Sequence, residues 1–394
     1  MSYDFEIATS LQPTEACLEE FLASKSGVTT EGSFDPELGN MTVGKVSSSG
    51  TMPLFTVDGP FRIDIDDLPE SLASSVLAPQ WLVQISVPAP SKAELALGKA
   101  LAEHIAKQCQ GAVYDPQQGT IVWPRGRQKR FSPPSQEERI RLVGLEWFLP
   151  VSRSSADTAR MFLSALRKLC PEAVPQRFGT YEPLQGRMEV GDDEPFLATW
   201  NQQSSVRHGG DFFFKSRSPC FGGTIDFPDR RDDFRPEAAS RAVRVGLDFD
   251  GRALYADPRW SEAIVTLFAG VARALGAFYA AGFVQRNVIA KRSAILFDGQ
   301  SESGPFPRGR WWCGPPSVPT WLAWFGRPYH DLVAGSIANL QPILSEQGVL
   351  LRLGREPLDT DQLRSVFPQL PQNLMAKTDS EGIGIPAEVI PNLE

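Results

Sequence analysis

Apolar and polar side chains alternate through Phe61-Arg-Ile-Asp-Ile-Asp66. Successive side chains of a strand point to opposite faces, so this pattern predicts a half-buried strand. Read in the same way, the opening of the chain holds strand 3–9, helix 13–24 and strands 40–47 and 53–65, with Pro13 and Thr14 at the helix start and Gly27 after its end. A clearer unit follows: strand 81–88, helix 91–109 started by Ser91, and strands 111–115 and 120–123 around a Pro116-Gln-Gln-Gly119 turn. This β-α-β-β order recurs as strand 140–150, helix 155–169, a turn at Arg177-Phe-Gly-Thr-Tyr-Glu-Pro183 and strands near 187–190 and 196–200. It recurs again as strand 243–250, helix 259–282 and strand 293–298.

Val143-Gly-Leu-Glu-Trp-Phe148 and Val245-Gly-Leu-Asp-Phe-Asp250 share a pattern that hints at duplicated units. The expected architecture is α+β, with repeated β-α-β-β units forming mixed or antiparallel sheets and helices packed on one face. A basic, Pro-containing stretch at 124–134 marks a boundary between an N-terminal α+β domain, 1–124, and a C-terminal α+β domain, 140–394, with 125–139 as linker. The tail from about 371 is polar and rich in Pro and Gly, and is expected to run over the surface. The apolar stretch 263–283 is long enough for a membrane span. Arg273 at its centre would cost about 2.5 to 3.5 kcal/mol there, so the stretch reads as a buried helix with Arg273 paired or exposed. Its small residues, among them Gly270, would allow close packing on a sheet.

Composition narrows the function classes. The 394 residues are 42% apolar and 22% charged, as in globular proteins, and suit more than one domain. Acids outnumber bases by 47 to 39, for a net charge of -8, which disfavours direct nucleic-acid binding and suits a basic partner. Five separated cysteines, with no CxxC pair, offer neither a zinc cluster nor a disulfide framework. The first residues, Met-Ser-Tyr-Asp-Phe-Glu-Ile, lack the basic start and apolar run of a secretory signal, so a cytoplasmic location without membrane attachment is expected.

Candidate chemistry is sparse. Gly39-Asn-Met-Thr-Val-Gly-Lys-Val46 has the spacing of a phosphate loop, but Val46 replaces the metal-binding hydroxyl and the segment leads into a strand rather than a helix. None of the ten lysines has an acid two positions before it, which removes the Asp/Glu-x-Lys pattern of restriction-endonuclease-like sites. Asp248 and Asp250 share a strand face, and read as the polar alternation of an exposed strand. No catalytic residue, metal ligand or cofactor is assigned. An alternative reading is an enzyme with a dispersed site around His208 and Asp211, whose intervening glycines would let two side chains meet; another is a secretion adaptor or chaperone.

The densest unusual feature is the run 308–329, which holds four of the nine tryptophans. Trp321 and Trp324 read as core, while Trp311 and Trp312, beside Arg and Gly, are candidate partner anchors. The units above, the Arg177-Phe-Gly-Thr-Tyr-Glu-Pro183 segment and the Trp321-Leu-Ala-Trp-Phe-Gly326 segment resemble bacterial immunity proteins of polymorphic and type VI secretion toxin systems, nearest the Imm52-like group, over the C-terminal two thirds of the chain. The resemblance implies a protein that binds and blocks a cognate toxin, for that group a nuclease, and carries over no binding residue. Candidate contact patches for a basic toxin are Asp64, Asp66 and Asp67; Asp192, Asp193 and Glu194; and Asp232 and Asp233.

Overall fold

The computed structural model describes residues 2–36, 39–47, 50–88, 91–123, 138–182, 184–189, 191–231, 239–291, 294–307, 311–380 and 382–393. The chain divides into two compact units, 1–136 and 137–394. Glu138 and Arg139, assigned to the linker by their neighbours in sequence, instead open a long strand.

The first unit runs β1 (Ser2–Thr9), α1 (Glu15–Ala23), β2 (Val28–Ser33), β3 (Asn40–Ser47), β4 (Gly50–Arg62), α2 (Glu70–Ala73), β5 (Trp81–Pro88), α3 (Lys92–Gln108), β6 (Gly111–Asp115) and β7 (Thr120–Trp123). The strands form one antiparallel sheet in the order β2-β3-β4-β5-β1-β6-β7. The β5-α3-β6-β7 order matches the expected unit. Ser91 starts α3 through a capping box: its hydroxyl accepts the Glu94 N–H at 3.3 Å while the Glu94 carboxylate accepts the Ser91 N–H at 2.7 Å. Leu101, Ala102 and Ile105 of α3 meet Ile7, Val83 and Ile85 in the unit's core. Lys45 and Val46 lie in β3, so the phosphate-loop spacing belongs to a strand.

The second unit begins with β8 (Glu138–Leu149), α4 (Ala156–Leu169), β9 (Arg177–Gly179), β10 (Gly186–Arg187), α5 (Glu194–Ser204), β11 (Asp211–Lys215) and β12 (Cys220–Asp226). It continues with β13 (Ser240–Arg241), β14 (Val243–Asp250), α6 (Gly251–Ala256), α7 (Pro258–Leu275), β15 (Tyr279–Lys291), β16 (Ala294–Leu296) and β17 (Trp311–Trp312). Then come β18 (Leu322–Gly326), α8 (Arg327–Ile337), β19 (Ile343–Ser345) and β20 (Gly348–Arg352), followed by α9 (Thr360–Leu363) and the short pair β21 (Lys377–Thr378) and β22 (Gly384–Ile385). Eleven of these strands make one antiparallel sheet, β10-β9-β11-β12-β14-β8-β15-β18-β20-β19, with β16 on β15.

The two similar segments are neighbours at the middle of this sheet. Leu145 pairs with Leu247, Gly144 with Asp248 and Glu146 with Gly246, so the shared Val-Gly-Leu-acid pattern meets itself about a local two-fold axis. On one face Val143, Leu145, Trp147, Val245, Leu247 and Phe249 pack under α4 and α7; the Trp147 indole N–H donates to the Phe268 carbonyl of α7 at 3.0 Å. Phe196 and Trp200 of α5 extend this layer over Phe212 and Phe214. The helices thus gather on one face as expected, with one addition: Tyr329 of α8 joins Phe278, Tyr279 and Trp312, part of an aromatic group that includes Phe148 on the opposite face.

Several sequence expectations give way to tertiary packing. The apolar stretch 263–283 is not one helix: α7 stops at Leu275, Gly276 takes the left-handed φ of 67° that closes it, and the rest enters β15 beside β8. Arg273 is exposed, and Gly270 lies against Leu169 of α4 rather than on the sheet. Residues 196–200 lie within α5, where Phe196, Leu197 and Trp200 share a buried side, instead of forming a strand. Arg177–Gly179 of the expected turn is strand β9. The tail does not simply run over the surface. Leu370, Leu374, Met375 and Leu393 are buried in the main core, which compensates for the irregular backbone between them. Among the described residues, no helix is long and apolar enough to cross a membrane.

Candidate functional site

The face of the large sheet opposite α4 and α7 carries an unusual set of charges. Strand alternation puts Arg244, Gly246 and Asp248 of β14 on this face, with Gly144 and Glu146 from β8 and Asp226 from β12. Arg244 is the bridge: its Nε donates to Asp226 Oδ2 at 2.7 Å, and its Nη1 lies 3.6 Å from Glu146 Oε2. The Glu146 charge foremost holds the Arg244 guanidinium charged, against the opposing effect of burial. Burial raises the Glu146 carboxyl above the usual range, with the Arg244 charge working against it and Asp226 with it. Among the described residues, the buried Glu146 Oε2 finds no hydrogen-bond donor.

Asp248 is placed differently. Its carboxyl has no hydrogen-bond or ion-pair partner among the described residues, and it sits at a groove of about 300 Å³. Phe213, Phe221, Leu184 and Ile295 supply apolar wall, and Lys215 and Glu182 form an ion pair of 3.7 Å at its edge. Burial, then the Glu146 charge, pushes the Asp248 carboxyl up to about 7, against the opposing pull of Arg244. Its expected place on an exposed strand is corrected: the face is half covered, because Phe306 and Trp312 pack on Phe148 and close the neighbouring part. Asp250, two residues on, caps α6 by accepting the Arg252 N–H at 2.9 Å and pairs with the Arg252 side chain.

The floor of the groove is formed by small residues of β12, Gly222, Gly223 and Thr224. Beside it, Gly144 lies opposite Asp248 and Gly246 opposite Glu146, so each acid faces a partner without a side chain. The Gly144 space is taken by the Phe283 ring, 2.7 Å from where a Cβ would stand, whereas over Gly246 the nearest atom is Thr224 Oγ1 at 3.2 Å. Such a set can bind a cation carried on an apolar stem, or hold and release a proton near neutral pH. Among the described residues no three His, Cys, Asp or Glu side chains gather in a way that would hold a metal.

The residues singled out from sequence lie elsewhere. Asp193 takes a two-pronged ion pair from Arg167, Asp192 accepts the Glu194 N–H at 3.1 Å, and Glu194 lies 3.7 Å from Arg160. These acids therefore organise the start of α5 while keeping an exposed edge. Asp67 accepts the Asp64 N–H at 2.9 Å in a short turn; Asp232 and Asp233 lie outside the described residues, as does the side chain of Asp66. Trp312 is 2% exposed and its indole N–H donates to the Tyr329 hydroxyl at 2.8 Å, so its ring serves the core rather than a surface anchor. Trp311 is half-buried. Trp321 and Trp324 are buried, as their setting beside Gly and Pro suggests. His208 is exposed in the turn before β11, and Asp211 is the first residue of that strand. Glu146, Arg244 and Asp226 were missed by sequence reasoning. The repeated Val-Gly-Leu-acid pattern was a visible signal for Glu146 alone, and only strand pairing shows that the two copies meet.

No family model matches the chain, and no curated protein matches it. Among solved structures, a Pseudomonas aeruginosa T6SS protein is similar at 13% identity and a TM-score of 0.34, over 56% of this chain and 69% of that one. A superposition at that score assigns neither fold nor role.

Proposed function

We propose that this chain is an immunity-type inhibitor that binds a cognate protein toxin and occludes it. The reading is supported by the groove at Asp248, whose apolar walls and acid, set apart from the Lys215–Glu182 pair at the edge, complement a lysine or arginine side chain: the alkyl stem would lie on Phe213 and Ile295 while the cationic head meets Asp248. A toxin that cleaves nucleic acid carries such side chains on the surface that meets phosphates, and covering them blocks its substrate. The net charge of -8 would speed the encounter and make it sensitive to salt. On this reading the toxin is a type VI secretion effector with nuclease activity, and inhibition takes place in the cytoplasm.

If the adjacent gene encodes the toxin, co-expression with its product should restore growth, and the two purified proteins should co-elute. Asp248→Asn combined with Phe213→Ala should weaken capture by at least about tenfold, the scale of one interface anchor, without lowering the melting temperature. Failure of the unaltered chain to capture or neutralise that toxin would sink the reading.

A further inference from the structure

A second cleft, of about 620 Å³, lies where α7 ends and α8 begins, and its character is opposite to that of the groove. Arg153, Arg273 and Arg327 line it together with Gln347, Phe278 and Pro328. Arg153 comes from the turn after β8, and its guanidinium stands over Gly276: a Cβ there would lie 3.3 Å from Nη2. Arg273 is in the last turn of α7. Arg327 opens α8, and its Nε donates to the Glu346 carbonyl at 3.2 Å.

Several arginines elsewhere in this acidic chain meet carboxylates, as Arg139 does Asp298, Arg167 Asp193, Arg252 Asp250 and Arg352 Glu262. Among the described residues, none of the three cleft arginines has such a partner. Helix electrostatics accounts for part of the arrangement, since the C-terminus of α7 offers roughly half a negative charge to Arg153 and Arg273. It does not account for Arg327. A cation at the first position of α8 adds to the positive end of that helix, whose N-cap residue, Gly326, supplies no capping side chain. Three like charges drawn into one cleft repel one another unless an anion joins them.

We propose that this cleft binds a phosphate-bearing small molecule. Guanidinium groups match oxyanions through paired N–H donors, and three of them suit a di- or trianion better than a single carboxylate. The cleft exceeds the size of a bare phosphate, which leaves room for the rest of such a ligand. This inference does not depend on the toxin reading.

Calorimetric titration of the full chain with pyrophosphate, inorganic phosphate and acetate, at matched ionic strength, tests it. Pyrophosphate should bind at least about tenfold tighter than acetate, with phosphate between them. Arg153→Gln, Arg273→Gln and Arg327→Gln should each weaken pyrophosphate by about tenfold, with unchanged melting because all three side chains are exposed. Arg259→Gln, which removes an exposed arginine already paired with Asp257, should leave binding unaltered. Equal affinity for pyrophosphate and acetate would overturn the proposal, as would pyrophosphate binding that survives the triple variant or falls equally in Arg259→Gln.

Discussion

Asp248 is a carboxyl that the folded chain keeps near its midpoint at neutral pH. Its pKa of about 7 lies above the ordinary 3.8, so between those values the folded state holds a proton that the unfolded chain has released. The contribution of this group to stability is therefore complete below about pH 4 and is lost as pH rises through 7. A shift of this size corresponds to about 4 kcal/mol at most, and solvent in the half-open groove reduces it to roughly 1 to 3. Asp248→Asn removes the titration while keeping the shape. Urea unfolding should show the variant more stable than the parent at pH 8 by that amount and nearly equal at pH 4; the same difference at both pH values would reject the assignment. A cation bound in the groove should lower this carboxyl, so binding at pH 7 should release protons, detectable as a dependence of the heat on the buffer.

The elements most informative about the fold are β8 and β14. Their glycines are equivalent by the local two-fold axis but have different neighbours, Phe283 over Gly144 and Thr224 over Gly246. Gly144→Ala must displace an aromatic ring within a packed layer, which costs about 1 to 3 kcal/mol. Gly246→Ala needs only a shift of a few tenths of an ångström by a threonine, so its melting temperature should fall less. At the end of α7, Gly276→Val puts a branched side chain in the left-handed region and should destabilise by about 1 to 2 kcal/mol, read from thermal melting. Strands β5, β6, β7 and β14 were legible in the sequence to the residue, because alternation and flanking turns agreed. The end of α7 was not: small apolar residues in 263–283 suit a helix and a central strand equally, and only the pairing of β15 with β8 separates them.

At the scale of the whole molecule, each unit has its own sheet and its own core. A fragment spanning 137–394 should therefore fold when produced alone, with a cooperative melt and the near-ultraviolet signal of its buried tryptophans; a fragment lacking both would show that 1–136 is needed to complete it. The same fragment contains the groove at Asp248 and the arginine cleft, so it should retain pyrophosphate binding. Raising salt should slow capture of a basic partner, since a net charge of -8 acts over distances that ions screen.

Local patterns in the chain determined its class. Apolar alternation, helix starts such as Ser91, and turns rich in Gly and Pro act within a few residues of one another, and they suffice for an α+β protein. Both candidate sites were decided by tertiary structure alone. Asp226, Arg244, Glu146 and Asp248 come from three strands, and Arg153, Arg273 and Arg327 from three separate elements, so neither set has a spacing to recognise. The same holds for what was misread. Trp312 looked like a surface anchor because its neighbours are Arg and Gly, but burial depends on Phe148, Phe278 and Tyr329, which are distant in sequence and adjacent only in the fold.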